Sequence, residues 1–232
     1  MKAMILAAGR GERLRPLTDT LPKPLLPVAG KPVIEYTIES LVAAGFRDIV
    51  INLAYLGELI ESALGNGGRF EARLRYSNEG ESGLETAGGI VHALPLLGDT
   101  PFLVVNGDIL TDFPFARLRK IETDSAYLVL VANPSHHRGG DFAIQDNRIG
   151  TRGDSRFTFS GIGVYSPAFF AGCSPGKSPL APLLRDAMDR GLVGGEFYAG
   201  FWRDLGTVER FREAEQRVAQ GRLVPGAFRP GL

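Results

Sequence analysis

Two arginines, a lysine and two aspartates carry the chemistry available to this chain. Arg13 and Arg15 stand just behind Gly9 and Gly11, and Lys23 lies between Pro22 and Pro24. Asp108 closes the run FLVVNGD at 102–108, and Asp204 lies in WRDLGT at 202–207. Cations beside a glycine turn hold phosphates, because glycines let the backbone approach closely and successive N–H groups form an anion nest. Proline fixes φ and pushes its predecessor towards extended geometry, so a lysine between two prolines loses less freedom on meeting an anion. Taken singly, such a lysine reads as a solvated loop residue, and each aspartate as a turn cap or half of a salt bridge. Two commoner phosphate loops are excluded. A dinucleotide fingerprint needs a third glycine where this chain has Leu14, and the Gly-Lys-Ser at 176–178 lacks the preceding glycine and strand of a Walker A loop.

The elements that must position these residues alternate along the chain. Residues 2–8 (KAMILAA) form an apolar strand that runs straight into the glycine turn. Residues 31–44 carry Ile34, Ile38, Leu41 and Val42 at helical spacing and stop at Gly45. Strands are expected at 48–53, 72–76 (an edge or partly exposed strand), 102–105 and 127–131, with helices at 56–64 and from 86 to 94. This order implies an α/β fold with a mostly parallel sheet and right-handed crossovers, whose ligands sit beyond the carboxyl ends of the strands. After Asn133 strands predominate, at 141–145 and 156–165, before helices at 180–190 and 207–217. Residues 1–220 are expected to form one domain in two parts, 1–132 and a smaller lobe at 133–206 built onto the sheet. The Gly- and Pro-rich tail 221–232 is expected to be loosely ordered.

Bulk properties narrow the classes. Lysine plus arginine number 26 and aspartate plus glutamate 26, so no general attraction to nucleic acid or membrane is indicated. An anionic ligand has to be held by local charge. The single cysteine, Cys173, forms no internal disulfide, and no stretch reaches the ~20 apolar residues that span a bilayer. A cytoplasmic setting is expected.

The segment LAAGRGERLRPLTDTLPKP at 6–24 resembles the signature of the sugar-1-phosphate nucleotidyltransferases, the nucleotide-sugar pyrophosphorylases. The resemblance implies a Rossmann-like three-layer sandwich of the nucleotide-diphospho-sugar transferase type, in which 1–132 bind nucleotide and 133–206 form a small sugar-facing lobe that brings in the second metal aspartate. It also implies a reaction in which a sugar-1-phosphate oxygen attacks the α-phosphorus of a nucleoside triphosphate and pyrophosphate leaves. Such a transfer needs positioning and charge stabilisation, with no serine, cysteine or histidine nucleophile. Asp108 and Asp204 are then the ligands of the catalytic Mg2+, which takes one or two carboxylates together with phosphates and waters. Arg13 and the Gly9–Gly11 turn hold the triphosphate tail, Lys23 meets the sugar phosphate or the α-phosphate, and Arg15 is at most a solvent-facing helper. His136 and His137 read as a surface loop, since neighbouring residues seldom converge on one ion.

In the same family the stretch EGESGLETAGG at 79–89 reads the nucleobase. Thr86, Ala87 and Gly88 are the expected contacts, with Ala8 through its backbone and Glu81 a weaker candidate; the bland alternative is a flexible loop with a helix N-cap at Thr86. The chain lacks the Glu-Lys-Pro that many relatives place before a sugar-binding glycine. Asn106, Gly140, Asp141 and Gly161 are the expected replacements, and for Asp141 a structural turn is as good a reading. The segments LETAGG, LPLLGD, FLVVNGD, HHRGGDF, FTFSGI and WRDLGT are together similar to the bacterial branch that joins UTP to N-acetylmuramic acid 1-phosphate during peptidoglycan recycling. The alternatives are another sugar 1-phosphate (glucose, mannose or heptose) with UTP, dTTP or GTP, and a regulator that binds nucleotide sugars without catalysis. Oligomeric state is not legible.

Overall fold

The computed structural model describes residues 1–153 and 155–220. In chain order its elements are β1 (Ala3–Leu6), a hairpin of β2 (Pro27–Val28) and β3 (Lys31–Pro32), α1 (Val33–Ala43), β4 (Asp48–Leu53), α2 (Gly57–Leu64), β5 (Arg73–Asn78), α3 (Glu85–Leu97) and β6 (Phe102–Asn106). There follow β7 (Ile109–Thr111), β8 (Ala126–Val131), β9 (Phe142–Gln145), β10 (Arg148–Gly150), β11 (Arg156–Tyr165), α4 (Leu180–Asp189), β12 (Val193–Tyr198), β13 (Trp202–Asp204) and α5 (Val208–Ala219). The tail 221–232 lies outside the described residues.

Nine strands form one sheet in the order β5-β4-β1-β6-β11-β8-β12-β10-β9. The half from β5 to β6 is parallel. Beyond it β11 runs antiparallel to β6 and β8, and β12 returns parallel to β8. The expected strand at 72–76 is β5, which forms one edge of the sheet.

Both faces of the sheet are covered, and the alternation of strand side chains decides which residue serves which layer. Ile5, Ile49, Ile51, Leu103 and Val105 join Ile34, Ile38 and Ile60 of α1 and α2 in one core. Met4, Val50, Phe102 and Val104 join Ile90 and Leu97 of α3 and Leu184 of α4 in the other. Each such fully buried side chain contributes about 1.5–3 kcal/mol over leaving it exposed. A third, smaller core ties α5 to the β2–β3 hairpin through Val28, Leu205 and Phe211, folding the last helix back over the N-terminal loop. No helix among the described residues is long and apolar enough to cross a membrane.

Three local expectations change. α1 begins at Val33, because Lys31 and Pro32 are drawn into the hairpin and Pro32 is extended, with ψ of 137°. α3 begins at Glu85 with Leu84 at its N-cap, so Thr86 lies within the first turn and is not the cap. β12 (VGGEFY) has no counterpart in the sequence reading, since Gly194 and Gly195 interrupt its apolar pattern.

Candidate active site

The parallel strands end at one level. Leu6 of β1 is in register with Asn52 of β4 on one side and Asn106 of β6 on the other. Beyond these ends a cavity of about 330 Å³ opens, lined among others by Ala8, Gly9, Lys23, Glu79, Thr86 and Asp108. A second cavity, of about 530 Å³, is lined by Asp141, Phe159, Gly161 and Tyr165. Thr86 and Asn106 face both cavities.

A hydrogen-bond chain fixes the wall of the first cavity. Asn52 Oδ1 accepts from Ala7 N at 2.7 Å, Asn52 Nδ2 donates to Glu79 Oε1 at 2.7 Å, and Glu79 Oε2 accepts from Leu84 N at 2.7 Å. One carboxylate thus ties the glycine turn, through Asn52, to the loop that precedes α3. Glu79 is a residue the sequence reading missed. β5 runs on to Asn78, which puts Glu79 at the strand end, whereas Glu81 is exposed and lines neither cavity.

The charged groups gather on the side of Asp108. Lys23 is 8% exposed and forms an ion pair with Asp108. β13 pairs antiparallel with β7, Asp204 opposite Ile109, and Leu205 N donates to Asp108 O at 2.8 Å. The two aspartates, 96 positions apart in sequence (204 − 108), therefore stand on adjacent chain segments. Asp204 forms an ion pair with Arg210 of α5 and accepts from His136 Nε2 at 3.2 Å. Arg13 reaches the same place: a Cβ added to Gly206 would lie 2.9 Å from Asp204 Oδ1, 3.1 Å from Arg13 Nη2 and 3.2 Å from Arg210 Nη1. Arg15 pairs with Asp19 at 3.1 Å on the surface. Burial, then Arg210, His137, Arg203 and Arg13, hold the His136 pKa below its usual value, so its contact with Asp204 at neutral pH is a hydrogen bond from a neutral ring. Burial, then Arg13 and Arg203, also lower the pKa of Arg210, against the pull of Asp108.

The donor set suits a hard divalent cation. Asp108 and Asp204 offer carboxylate oxygens that are 34% and 21% exposed, and such ions commonly take one or two carboxylates and fill the remaining sites with phosphate and water. Among the described residues no group of three or more His, Cys, Asp or Glu forms a closed metal cage.

Asp141 anchors the second cavity. Its Oδ1 lies 3.0 Å from His137 Nε2, and its Oδ2 accepts from Phe159 N at 2.8 Å. The adjacent histidines therefore engage different aspartates, a role the surface-loop reading did not contain. The other predicted residues have structural work here. Ala87 and Gly88 are buried in α3 and donate their N–H groups to the Ser178 carbonyl at 3.0 and 3.1 Å. A Cβ on Gly88 would fall 2.1 Å from the Gly176 carbonyl oxygen, so glycine there permits close packing of that turn. Gly11 packs beneath Thr18 and Lys23, and Gly140 sits against Asn133 and Arg156; Gly11, Ala87, Gly88 and Gly140 line neither of these two cavities.

Comparison with known proteins agrees with this geometry. A family profile described as nucleotidyl transferase matches residues 2–142. The chain is 52% identical over 224 residues to an N-acetylmuramate alpha-1-phosphate uridylyltransferase of Neisseria meningitidis, covering 93% of this chain and 97% of the relative. It is 41% identical over 237 residues to a mannose-1-phosphate guanyltransferase of Hypocrea jecorina, covering 91% of this chain but 62% of that protein. The structure of an inositol-1-phosphate CTP transferase from T. maritima superimposes with a TM-score of 0.78 over 95% of this chain and 96% of the other, at 20% identity, which shows the shared fold. With a glycine turn, braced lysine and paired aspartates at the strand ends of that fold, the chain belongs to the nucleotidyl transferase family, as a sugar-1-phosphate nucleotidyltransferase.

Proposed function

We propose that this enzyme joins UTP to N-acetylmuramic acid 1-phosphate, giving UDP-N-acetylmuramic acid and pyrophosphate, and that it serves peptidoglycan recycling in the cytoplasm. The observation that carries the choice of substrates is the 52% identity to the Neisseria uridylyltransferase across almost the full length of both chains. We read residues 1–220 as one domain, with the first cavity taking the nucleotide and the second the sugar.

A sugar-phosphate oxygen forms the new P–O bond to the α-phosphorus, the bridging bond to the β-phosphate breaks, and its electron pair leaves with pyrophosphate. The two cavities meet at Asn106, so the two phosphates would meet beside Lys23 and Asp108. The buried Lys23 ammonium, held by its prolines, offsets charge where two anions approach. Arg13 stands on the Asp204 side, where the tail of the triphosphate would gain charge as it departs. Asp108 and Asp204 would hold Mg2+, which when bound supplies further positive charge at the α-phosphate. Glu79 and Asn52 set the loop before α3, and Thr86 and the Ala8 backbone face the base.

The test is pyrophosphate release from UTP, dTTP, GTP, CTP and ATP, each paired with N-acetylmuramic acid, glucose and mannose 1-phosphates in magnesium. UTP with the muramic acid derivative should give the highest kcat/KM. A higher value for mannose 1-phosphate with GTP would replace this reading with that of the guanyltransferase relatives, and absence of turnover with every pair would leave a binding protein.

A further inference from the structure

The second cavity contains two groups that the reaction above does not use. Tyr165, at the end of β11, is 1% exposed and lines the cavity, yet its hydroxyl has no hydrogen-bond partner among the described residues. Its ring is fixed by Phe169 and Phe170, at centroid separations of 5.7 and 5.8 Å. Buried phenol hydroxyls ordinarily find a partner; this one is itself closed off from solvent, so the face Tyr165 gives the cavity is its ring. Burial raises its pKa, so the group is a donor at every physiological pH.

Arg185, on α4 at the rim of the same cavity, is the second group. Its neighbours on the helix are engaged: Asp186 with Arg190 at 3.2 Å, and Asp189 with Thr151 at 3.0 Å. Arg185 meets no carboxylate among the described residues. It is also the only cation lining this cavity, whose other charged groups are Asp141 and Glu85. Asp141 is pinned by His137 and Phe159 and presents a fixed negative wall.

N-acetylmuramic acid differs from N-acetylglucosamine by a lactyl ether on the 3-oxygen, which ends in a carboxylate. Asp141 repels that carboxylate from its own wall, and Arg185 of α4 offers the one countercharge among the described lining residues. We propose that Arg185 pairs with the lactyl carboxylate of the sugar substrate, beside the apolar wall that the Tyr165 ring forms, and thereby selects the muramic acid derivative over N-acetylglucosamine 1-phosphate. This rests on the substrate reading given above. A guanidinium matches a carboxylate through two parallel N–H donors, which a lysine does not reproduce.

The experiment measures kcat/KM with UTP for the two acceptors, which differ only in the lactyl group, in wild type, Arg185→Ala, Arg185→Lys and Tyr165→Phe. The wild-type preference for the muramic acid derivative should fall roughly 10- to 100-fold in Arg185→Ala, chiefly through KM, with partial recovery in Arg185→Lys. Tyr165→Phe, which keeps the ring, should keep the wild-type preference. The lactyl methyl ester tests the contact with unaltered protein: it should lose a similar factor in wild type and little more in Arg185→Ala. Calorimetry with UDP-N-acetylmuramic acid and UDP-N-acetylglucosamine, without metal, should show the same loss of discrimination. A wild type that favours the muramic acid substrate, with Arg185→Ala keeping the ratio, overturns the role of Arg185 alone. A wild type that uses N-acetylglucosamine 1-phosphate as well or better overturns the substrate assignment and this inference with it.

Discussion

Replacing Gly161 by alanine tests whether the two cavities are joined through Asn106. Gly161 lies in β11, where the register against β8 shifts between Phe159 and Ile162, and has φ of +77°. A Cβ there would lie 2.4 Å from Asn106 Nδ2, 2.5 Å from Cγ and 3.0 Å from Cβ. Ordinary contact begins near 3.4 Å, so the Asn106 side chain has to retreat by about 1 Å. The left-handed backbone costs a non-glycine residue about 1–2 kcal/mol, and forcing a packed neighbour aside adds about 1–3 kcal/mol. Gly30→Ala is the control: its φ is +81°, and a Cβ would meet nothing within 4 Å, so it carries the backbone cost alone. Urea midpoints should therefore fall further in Gly161→Ala than in Gly30→Ala. Activity should separate them more sharply. An ångström of misplacement at a reacting centre can cost on the order of 100-fold, so kcat/KM for pyrophosphate release should drop at least tenfold in Gly161→Ala and hardly at all in Gly30→Ala. Equal stability and equal turnover in the two variants would refute the claim that Gly161 exists to seat Asn106.

Glu79→Ala removes the acceptor shared by Asn52 Nδ2 and Leu84 N; the KM for UTP should rise about tenfold, in keeping with the roughly 1–3 kcal/mol of hydrogen bonds to a charged group, while the KM for the sugar phosphate moves less. Asp204→Asn should weaken magnesium binding, read as a higher half-saturating magnesium concentration and a smaller calorimetric signal, with the far-ultraviolet spectrum unchanged; an unaltered magnesium titration would remove Asp204 from the metal site. Lys23→Ala and Arg13→Ala should each lower kcat steeply in a folded protein, and near-normal turnover in either excludes that residue from the mechanism. Glu196 supplies a pH test. Burial raises its pKa, and Arg117, 2.6 Å away, offsets this only in part. A raised folded-state value means that its favourable contribution is present below the unfolded pKa and is lost as pH rises through the folded one, so Glu196→Gln should flatten the fall of the urea midpoint as pH rises above the ordinary carboxylate value of 4.5; an unchanged slope would refute this.

Much of the site is legible in sequence because its residues sit at the ends of strongly apolar strands. β1 leads into the glycine turn and β6 into Asn106–Asp108, and both strands are marked by the continuous apolar runs that a sheet covered on two faces requires. What stays hidden is long-range pairing. β7 and β13 are three residues each, too short for a periodic signal, yet their ladder sets Asp204 beside Asp108. Arg210 is equally silent. It is one more charge on a charged helix until the small core of Val28, Leu205 and Phe211 folds α5 back onto Asp204. Glu79 and Glu81 differ only in where β5 stops, a boundary that composition leaves open by a few residues. The surface-loop reading of the adjacent histidines left one consequence undrawn: neighbouring side chains that diverge can serve two places, His136 at Asp204 and His137 at Asp141.

Charge is arranged locally in a chain whose total is zero. Two carboxylates on adjacent segments would repel each other, but each is matched by a cation drawn from far along the chain, Asp108 by Lys23 and Asp204 by Arg210. Arg13 and Arg203 add positive potential around them and, after burial, help to lower the pKa of Arg210. Such a cluster is balanced enough to fold and rich enough in cations to receive phosphates. The second cavity follows the opposite plan, with a fixed aspartate and a single arginine among its described lining residues. A substrate that carries a phosphate at one end and a carboxylate on its ring fits that division of charge better than a neutral hexose phosphate does, which is why the identity of the acceptor should depend on α4 while the chemistry depends on the strand ends.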